Sequence, residues 1–442
     1  MAGLPSVTTC VYCHSIISVF TFLSIVLQIS SIWNESFSYA PIDLKHHFYY
    51  QKTPVHKKVS DMYVFEQNLH RYPAIQDVNV IIILGVGFLF AFLRRYGFSG
   101  VAFNFLIIAV GLQWAIILDT FLFNRTKAVP AVGITSLTTG LMSIFPILIS
   151  SGVVLGKVNP VQLIIMTLIE LPIFAVNRYI MTNYLLMNSH ISMMYAHIFG
   201  AYFGLAMSWS LVPPLLGNEA SELYEKSETR SELFSMLGAL FMWMFWPSYN
   251  SLLLRDHMQI QNAVFNTYFT LAASTVVVFA ASALFNRKGK FKMFQVRNAM
   301  LAGGVAVGFS ANMVQYPWIA MTLGLLAGLI STAGLTYMQD TLKVVTLVHD
   351  TSGVSYTFGL PGLLGALAYA LFILVADYGR FDLPIFQALV GVGCILLTLT
   401  LSLVGGLLTG FLLKCKLLKP PKEHNFFHDQ LYWEFLHVDY HL

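Results

Sequence analysis

The sequence predicts an all-α membrane protein with about twelve transmembrane helices, because of its composition and its long apolar runs. Hydrophobic residues make up 57% of the 442 residues and charged residues only 10%, whereas about a quarter of the residues in soluble globular chains are charged. So few charges cannot cover a water-exposed surface. The composition therefore excludes soluble, disordered, collagenous, disulfide-framework and nucleic-acid-binding classes of protein.

The predicted spans are continuous apolar runs that end at polar or proline-containing segments. They are 10–32, 77–93, 101–123, 133–155, 160–182, 191–213, 234–254, 263–285, 298–314, 317–338, 358–376 and 383–413. Only helices or closed barrels satisfy their backbone hydrogen bonds in hydrocarbon, and continuous apolar runs of this length favour helices. We therefore expect a transmembrane domain over 1–420 and a short cytoplasmic tail over 421–442.

The first run is expected to be a retained helix rather than a cleaved signal peptide. No Lys or Arg precedes Lys45, and no small-residue cleavage site follows the run. A secretory signal peptide normally has both features.

The distribution of positive charge predicts that both termini are cytoplasmic. Fifteen of the 25 Lys and Arg residues follow even-numbered spans, and cytoplasmic loops carry the excess of such residues. The short loops on the other side carry only Arg125, Lys127, Arg178, Arg255 and Arg380. Two glycosylation sequons, at Asn34 and Asn124, fall in loops placed outside, and Asn34 is the better candidate because Asn124 is close to the membrane.

Three ionisable side chains inside predicted spans are candidates for function, since charge within a membrane is costly. Glu170 lies in the middle of the fifth span, His197 in the sixth, and Asp119 at the end of the third. A buried histidine passes a proton or binds a small polar solute, or it serves only packing, and both interpretations stay open. Glu170 is favoured as a hydrogen-bonding anchor between helices, and Asp119 as a residue that reaches the interface.

The sequence contains no motif of an enzyme. It has no G-x-x-x-x-G-K-S/T loop, no G-x-S-x-G elbow and no H-E-x-x-H helix. Cys10 and Cys13 have C-x-x-C spacing, but no second Cys or His pair completes a zinc site. We therefore expect neither catalysis nor a cofactor or metal.

A weak internal symmetry relates the sixth and eleventh spans. Gly204 follows His197 by seven residues, and Gly365 follows Phe358 by the same interval. Transporters that are built from inverted repeats place corresponding helix positions around a shared site near the membrane midplane. A pathway or binding site near these two spans is therefore predicted.

Six long motifs, in chain order, carry a resemblance to a known family. They are RRYGFSGVAFN (94–104), GLQWAIILD (111–119), FGAYFGL (199–205), LGALFMWMFWPSYN (237–250), LAGGVAVG (301–308) and HDTSG (349–353). Together they resemble the Rh family within the ammonium transporter superfamily, over almost the whole chain. The segment VGGLLTG (404–410) and the tail after Pro421 are similar to the blood-group Rh polypeptides rather than to the ammonia-conducting Rh glycoproteins. Asn34 stands where Rh glycoproteins carry a sugar.

The resemblance implies the ammonium-transporter fold. In that fold two inverted five-helix repeats, here 77–213 and 234–376, enclose a narrow pore within each subunit of a trimer. One extra N-terminal helix, here 10–32, precedes the repeats, and 383–413 is the last helix.

The resemblance also identifies candidate pore residues. His197 matches the first of two facing pore histidines in conducting members, whereas Phe358 stands at the second position. Ser189 stands where those members have a carboxylate, and the two gating phenylalanines correspond to Phe241 and to Met142. Loss of the carboxylate removes an attraction for an ammonium ion, and Phe358 removes a hydrogen-bonding group, so efficient ammonium transport is not expected.

Two functions remain open on this basis. One is a blood-group-type subunit of a plasma-membrane Rh complex, with an Rh-associated glycoprotein as the partner and a structural link from the lipid bilayer to the membrane skeleton. The alternative is a channel for ammonia or carbon dioxide with a modified pore.

Overall fold

The structure, a computed structural model, describes residues 71–123, 133–211, 227–339, 341, 345, 348–376 and 382–434. The predicted first span (10–32), Asn34, Asn124 and the two N-terminal cysteines lie outside these residues.

The described residues form a helical bundle, whose helices we number in chain order. They are α1 (Tyr72–Phe92), α2 (Gly97–Phe123), α3 (Ile134–Val153), α4 (Pro160–Asn183), α5 (Ser189–Met194), α6 (Ala196–Leu211), α7 (Thr229–Ser251), α8 (His257–Phe285), α9 (Met293–Ala299), α10 (Ala302–Val307), α11 (Pro317–Met338), α12 (Ser355–Val375) and α13 (Asp382–Leu413). Eight helices among the described residues are long and apolar enough to cross a membrane. The prediction of an all-α membrane protein is thus confirmed.

Polar residues at the predicted breaks start the long helices. Asn159 caps α4, since its side chain accepts a hydrogen bond from the Gln162 backbone at 2.8 Å while the Gln162 side chain accepts one from the Asn159 backbone. Pro160 occupies the first helical position, where its missing N–H costs nothing. Asp256 caps α8 by accepting a hydrogen bond from the backbone N–H of Gln259 at 3.2 Å. These caps satisfy N–H groups that have no partner inside the helix.

The prediction that each span is one continuous helix was wrong for two of them. The span 191–213 is interrupted at Tyr195, where α5 ends and α6 follows. The span 298–314 begins earlier, at Met293, and consists of the short helices α9 and α10 followed by turns. A continuous apolar run has no feature that distinguishes one helix from two short ones, and the breaks at Tyr195 and at 300–301 fall within such runs.

The helices of the two predicted repeats pack in equivalent ways. The first helices of the repeats, α1 and α7, lie against each other. Within the first repeat α2 packs on α4 and α3 on α6, while within the second α8 packs on α11 and α10 on α12. The fifth span of each repeat therefore lies on the third span of the same repeat.

Glycines allow these two equivalent contacts to be very close. A Cβ atom added to Gly204 of α6 would lie 2.9 Å from the backbone Cα of Ser150 on α3. A Cβ added to Gly365 of α12 would overlap the carbonyl oxygen of Ala306 on α10. The equal spacing of His197 to Gly204 and of Phe358 to Gly365 thus has a structural cause, because both glycines contact the backbone of the third span. Close approach through small residues is how helices associate in lipid.

Three cations that the charge analysis assigns to loops are buried in the structure. Lys157 donates a hydrogen bond to the carbonyl oxygen of His349 at 3.1 Å. Arg297 lies in α9 with its guanidinium 4.1 Å from the centre of the Phe92 ring. Arg178 lies inside α4. Each is tolerated because polar or aromatic groups replace the water that the charge has lost.

The described part of the C-terminal tail packs onto the start of α2. The carboxylate of Asp429 accepts hydrogen bonds from the backbone N–H groups of Phe98 and Ser99 at 3.0 and 2.8 Å, and the Trp433 indole donates to the Ser99 hydroxyl at 2.9 Å. Burial raises the pKa of the Asp429 carboxyl, while the hydrogen bonds from Ser99 and Phe98 oppose that rise. The tail thus supplies the cap that α2 lacks in its own sequence.

Substitution of Gly365 tests the importance of the α10–α12 contact. We expect Gly365→Ala to lower the free energy of unfolding by about 1–3 kcal/mol, the usual cost of overpacking, because the new methyl group meets the Ala306 backbone rather than a movable side chain. Thermal unfolding in detergent measures the effect. The control is Gly393→Ala in α13, where no described atom lies within 4 Å of the added Cβ. Equal stability of the two variants would contradict the prediction.

Candidate pore site

The centre of the bundle holds five buried rings in mutual contact, which we call the ring cluster: His197, Phe145, Trp246, Tyr249 and Phe358. The rings of His197 and Phe358 are nearly parallel, with centroids 6.3 Å apart and an interplanar angle of 11°. Trp246 is roughly parallel to both, at 6.0 Å from His197 and 6.4 Å from Phe358. Phe145 stands edge-on at 5.4 Å from His197, and Tyr249 lies 5.7 Å from His197.

Both repeats contribute to the ring cluster. Phe145 lies on α3 and His197 on α6, while Trp246 and Tyr249 lie on α7 and Phe358 on α12. Phe358 belongs to a π-helical turn, Ser355–Gly359, at the start of α12. Such turns widen the helix locally and are frequent at functional sites. The cluster therefore occupies the interface between the repeats.

Hydrogen bonding fixes the orientation of the His197 ring. Its Nδ1 lies 2.9 Å from the carbonyl oxygen of Met194, and a carbonyl only accepts. This contact assigns the proton to Nδ1, so Nε2 carries a lone pair. His197 has no exposed surface, and the neutral ring is therefore the form that its surroundings support.

Three polar atoms of the ring cluster have no hydrogen-bond partner among the described residues. They are Nε2 of His197, Nε1 of Trp246 and the hydroxyl of Tyr249. Most buried polar groups in proteins are paired. An acceptor, a donor and a hydroxyl, all unsatisfied around one set of rings, are together suited to a small polar molecule.

A buried ion pair lies beside the ring cluster. Arg178 donates from Nη1 to the Ser143 hydroxyl at 3.0 Å, and the same nitrogen lies 3.7 Å from the Asp119 carboxylate. Ser143 is on α3, two residues before Phe145. Asp119, which the sequence places at the interface, therefore neutralises a cation within the bundle.

The structure brings some of the predicted pore residues together and not others. His197 and Phe358 are in contact, and Met142 is fully buried on α3, one turn before Phe145. Ser189 is exposed, at the first position of α5. Phe241 is half-buried on α7 and makes no ring contact with any aromatic residue that the structure describes.

Sequence reasoning missed three members of the ring cluster. Trp246 and Tyr249 lie in the motif WPSYN (246–250), and their spacing of three residues places both on one face of a helix. That signal was available, but nothing in the sequence distinguishes this face of α7 from the face that carries Phe241. Phe145 had no signal, since it is one apolar residue within an apolar run.

Comparison with protein families and solved structures agrees with the fold. A model described as the Ammonium Transporter Family matches residues 63–430. The structure of Rh50 from Nitrosomonas europaea aligns with a TM-score of 0.73 and 30% sequence identity, over 85% of this chain and 94% of that chain. A structure named Sensor Amt Protein aligns with a TM-score of 0.67 over 80% of this chain and 94% of its own, and its 17% identity shows the fold alone. The predicted ammonium-transporter fold is confirmed.

Curated relatives place the chain more narrowly. The Blood group Rh(D) polypeptide of Homo sapiens is 41% identical and the RH-like protein of Macaca mulatta 42% identical, each over 83% of this chain and 88% of the relative. The protein named Ammonium transporter Rh type B of Xenopus tropicalis is 43% identical over 82% of both chains. The family whose model matches the chain is a transporter family and not an enzyme family. The chain is a multi-pass membrane protein that belongs to the ammonium transporter family, within its Rh group.

Proposed function

We propose that this chain is a blood-group-type subunit of a plasma-membrane Rh complex and transports little or no ammonium by itself. The observation that carries the proposal is the pairing of His197 with Phe358 at 6.3 Å. An imidazole that faces a phenyl ring has no second hydrogen-bonding group opposite it. A cation passing between these rings would exchange its water for one imidazole lone pair and aromatic ring faces, with no carboxylate in the cluster to balance its charge.

The charges around the ring cluster support the same proposal. No carboxylate belongs to the cluster, and Ser189, at the position of the family's carboxylate, is a neutral residue. The carboxylate of Asp119, beside the cluster, is already engaged by Arg178. Desolvation of an ammonium ion without such a partner costs at least several kcal/mol.

The relationship with Rh polypeptides supports a partner, and the distribution of Lys and Arg supports a topology. We assign an Rh-associated glycoprotein as the partner, in a homo- or heterotrimer, with both termini cytoplasmic and a structural role between the bilayer and the membrane skeleton. The 41% and 45% identities to the human and rat Rh(D) polypeptides support this assignment. Asn34 remains the candidate for glycosylation.

A channel for ammonia or carbon dioxide is the second candidate, and one observation favours it. The unpartnered atoms of His197, Trp246 and Tyr249 provide hydrogen-bonding positions for a small neutral solute. A neutral molecule pays much less than an ion to leave water. Movement of the Phe358 ring would then open the path.

Substitution of His197 separates the two candidates. We expect purified protein in liposomes to take up ammonia or methylammonium no faster than empty liposomes, and His197→Ala to make no difference, because Phe358 closes the path. Stopped-flow measurement with an internal pH dye reports the uptake. Uptake above the background that is lost in His197→Ala would overturn the structural role and establish the channel.

Introduction of a second imidazole at 358 and a carboxylate at 189 tests whether these positions line a pore. We expect the double variant Phe358→His and Ser189→Asp to raise ammonia permeability several-fold over the unmodified chain, because it supplies a second imidazole and a cation-attracting carboxylate. The same liposome assay measures it. The control is Phe199→His, a buried phenylalanine two residues after His197 that packs on Phe174 and Phe203 instead. No increase in a folded double variant would count against the pore assignment.

Co-purification tests the proposed partner. We expect the chain, expressed with an Rh-associated glycoprotein, to be recovered with it in one trimeric species, because obligate membrane complexes bury matching helix faces. Native mass spectrometry gives the stoichiometry, and an unrelated multi-pass protein serves as the control. Recovery of the chain only as a trimer of itself, with the glycoprotein present, would exclude the partner.

A further inference from the structure

Glu170 is a buried carboxyl group in the middle of α4 that the ring cluster does not use. Its side chain has no exposed surface. Oε1 lies 2.5 Å from the hydroxyl oxygen of Ser150 on α3, and Oε2 has no hydrogen-bond partner among the described residues. The protonation state of the Glu170 carboxyl therefore depends on its contact with Ser150.

The Ser150 hydroxyl is surrounded by three oxygen atoms. Besides Glu170, it lies 2.8 Å from the carbonyl oxygen of Gly200 on α6 and 3.0 Å from the carbonyl oxygen of Pro146, one turn earlier on α3. Both carbonyl oxygens are acceptors only, and the hydroxyl has a single hydrogen. That hydrogen cannot serve all three neighbours.

The number of hydrogen atoms available around Ser150 differs between ionised and protonated Glu170. If Glu170 is ionised, Ser150 gives its hydrogen to the carboxylate, and the Gly200 carbonyl oxygen then lies 2.8 Å from another oxygen with no hydrogen between them. If Glu170 is protonated, it donates to the Ser150 oxygen and Ser150 donates to Gly200. Only the protonated state makes both short contacts hydrogen bonds.

The charge balance favours the same state. No described cation forms an ion pair with Glu170, and Arg178, two turns later on α4, is paired with Asp119. An ionised carboxylate in the interior with one hydrogen bond and no counter-ion is far more costly than the neutral acid.

We propose that Glu170 is a neutral carboxylic acid that holds α4, α3 and α6 together through Ser150. The link passes through Ser150, five residues after Phe145, and ends on Gly200, three residues after His197. Glu170 is thus a positioning residue. It stabilises the contact between α3, which carries Phe145, and α6, which carries His197. The proposal does not depend on whether the chain conducts.

Infrared spectroscopy tests the protonation state directly. The difference spectrum between the unmodified chain and Glu170→Gln, in lipid at neutral pH, should contain the carbonyl stretch of a protonated carboxylic acid, with a shift in heavy water. A carboxylate stretch in its place would overturn the proposal.

Stability of matched variants provides a second readout. Glu170→Gln should unfold at the temperature of the unmodified chain, because the amide also donates to Ser150 and no charge is lost. Asp119→Asn makes the same chemical change at the ion-paired carboxylate and should lower the unfolding temperature by several degrees, because it leaves Arg178 buried without its counter-ion. An equal loss in the two variants would contradict a neutral Glu170.

Ser150→Ala keeps the test informative if Glu170→Gln does not fold. This variant removes the acceptor of the Glu170 proton and leaves the carboxyl in place. The acid carbonyl stretch should then shift to higher frequency, as expected for a carboxylic acid that has lost its hydrogen bond. Absence of any acid band in both this variant and the unmodified chain would refute the proposal.

Discussion

The contact between α3 and α6 is the constraint on which the site depends. Gly200 and Gly204 bring α6 against the backbone of α3 at Pro146 and Ser150, and this approach places His197 beside Phe145 at 5.4 Å. Larger side chains at these glycines would separate the helices and leave voids around the rings. Since lipid provides no hydrophobic drive between helices, such close packing is itself the source of association.

Polar groups in the bundle are stabilised by two different means. Arg178 is a cation that retains its charge beside Asp119 and Ser143, whereas Glu170 has a single neutral partner. Both lie on α4. On this helix the cost of burying a charge is met by ion pairing at Arg178 and, in the proposal above, by protonation at Glu170. The ring cluster itself contains no carboxylate, lysine or arginine side chain.

The ring cluster determines which solutes are compatible with the site. Four aromatic rings and one imidazole enclose three unpartnered polar atoms, an environment that penalises an ion more strongly than a small neutral molecule. Nδ1 of His197 donates to the carbonyl oxygen of Met194, which leaves Nε2 as an acceptor. In the function proposed above, the phenyl ring of Phe358 forms an apolar wall opposite His197.

The sequence by itself determined the membrane class, the approximate bounds of most helices, and the pairing of His197 with Phe358 through family resemblance. Apolar run length and charge bias are local properties, so they can be read without knowledge of contacts. Only the tertiary structure decided that Trp246, Tyr249 and Phe145 complete the ring cluster and that the Phe241 ring is not stacked on it. It also decided that Arg178, inside α4, and Lys157, in the turn between α3 and α4, are buried. In an almost uniformly apolar helix the sequence does not mark the face that meets another helix, because lipid and protein interior favour the same side chains.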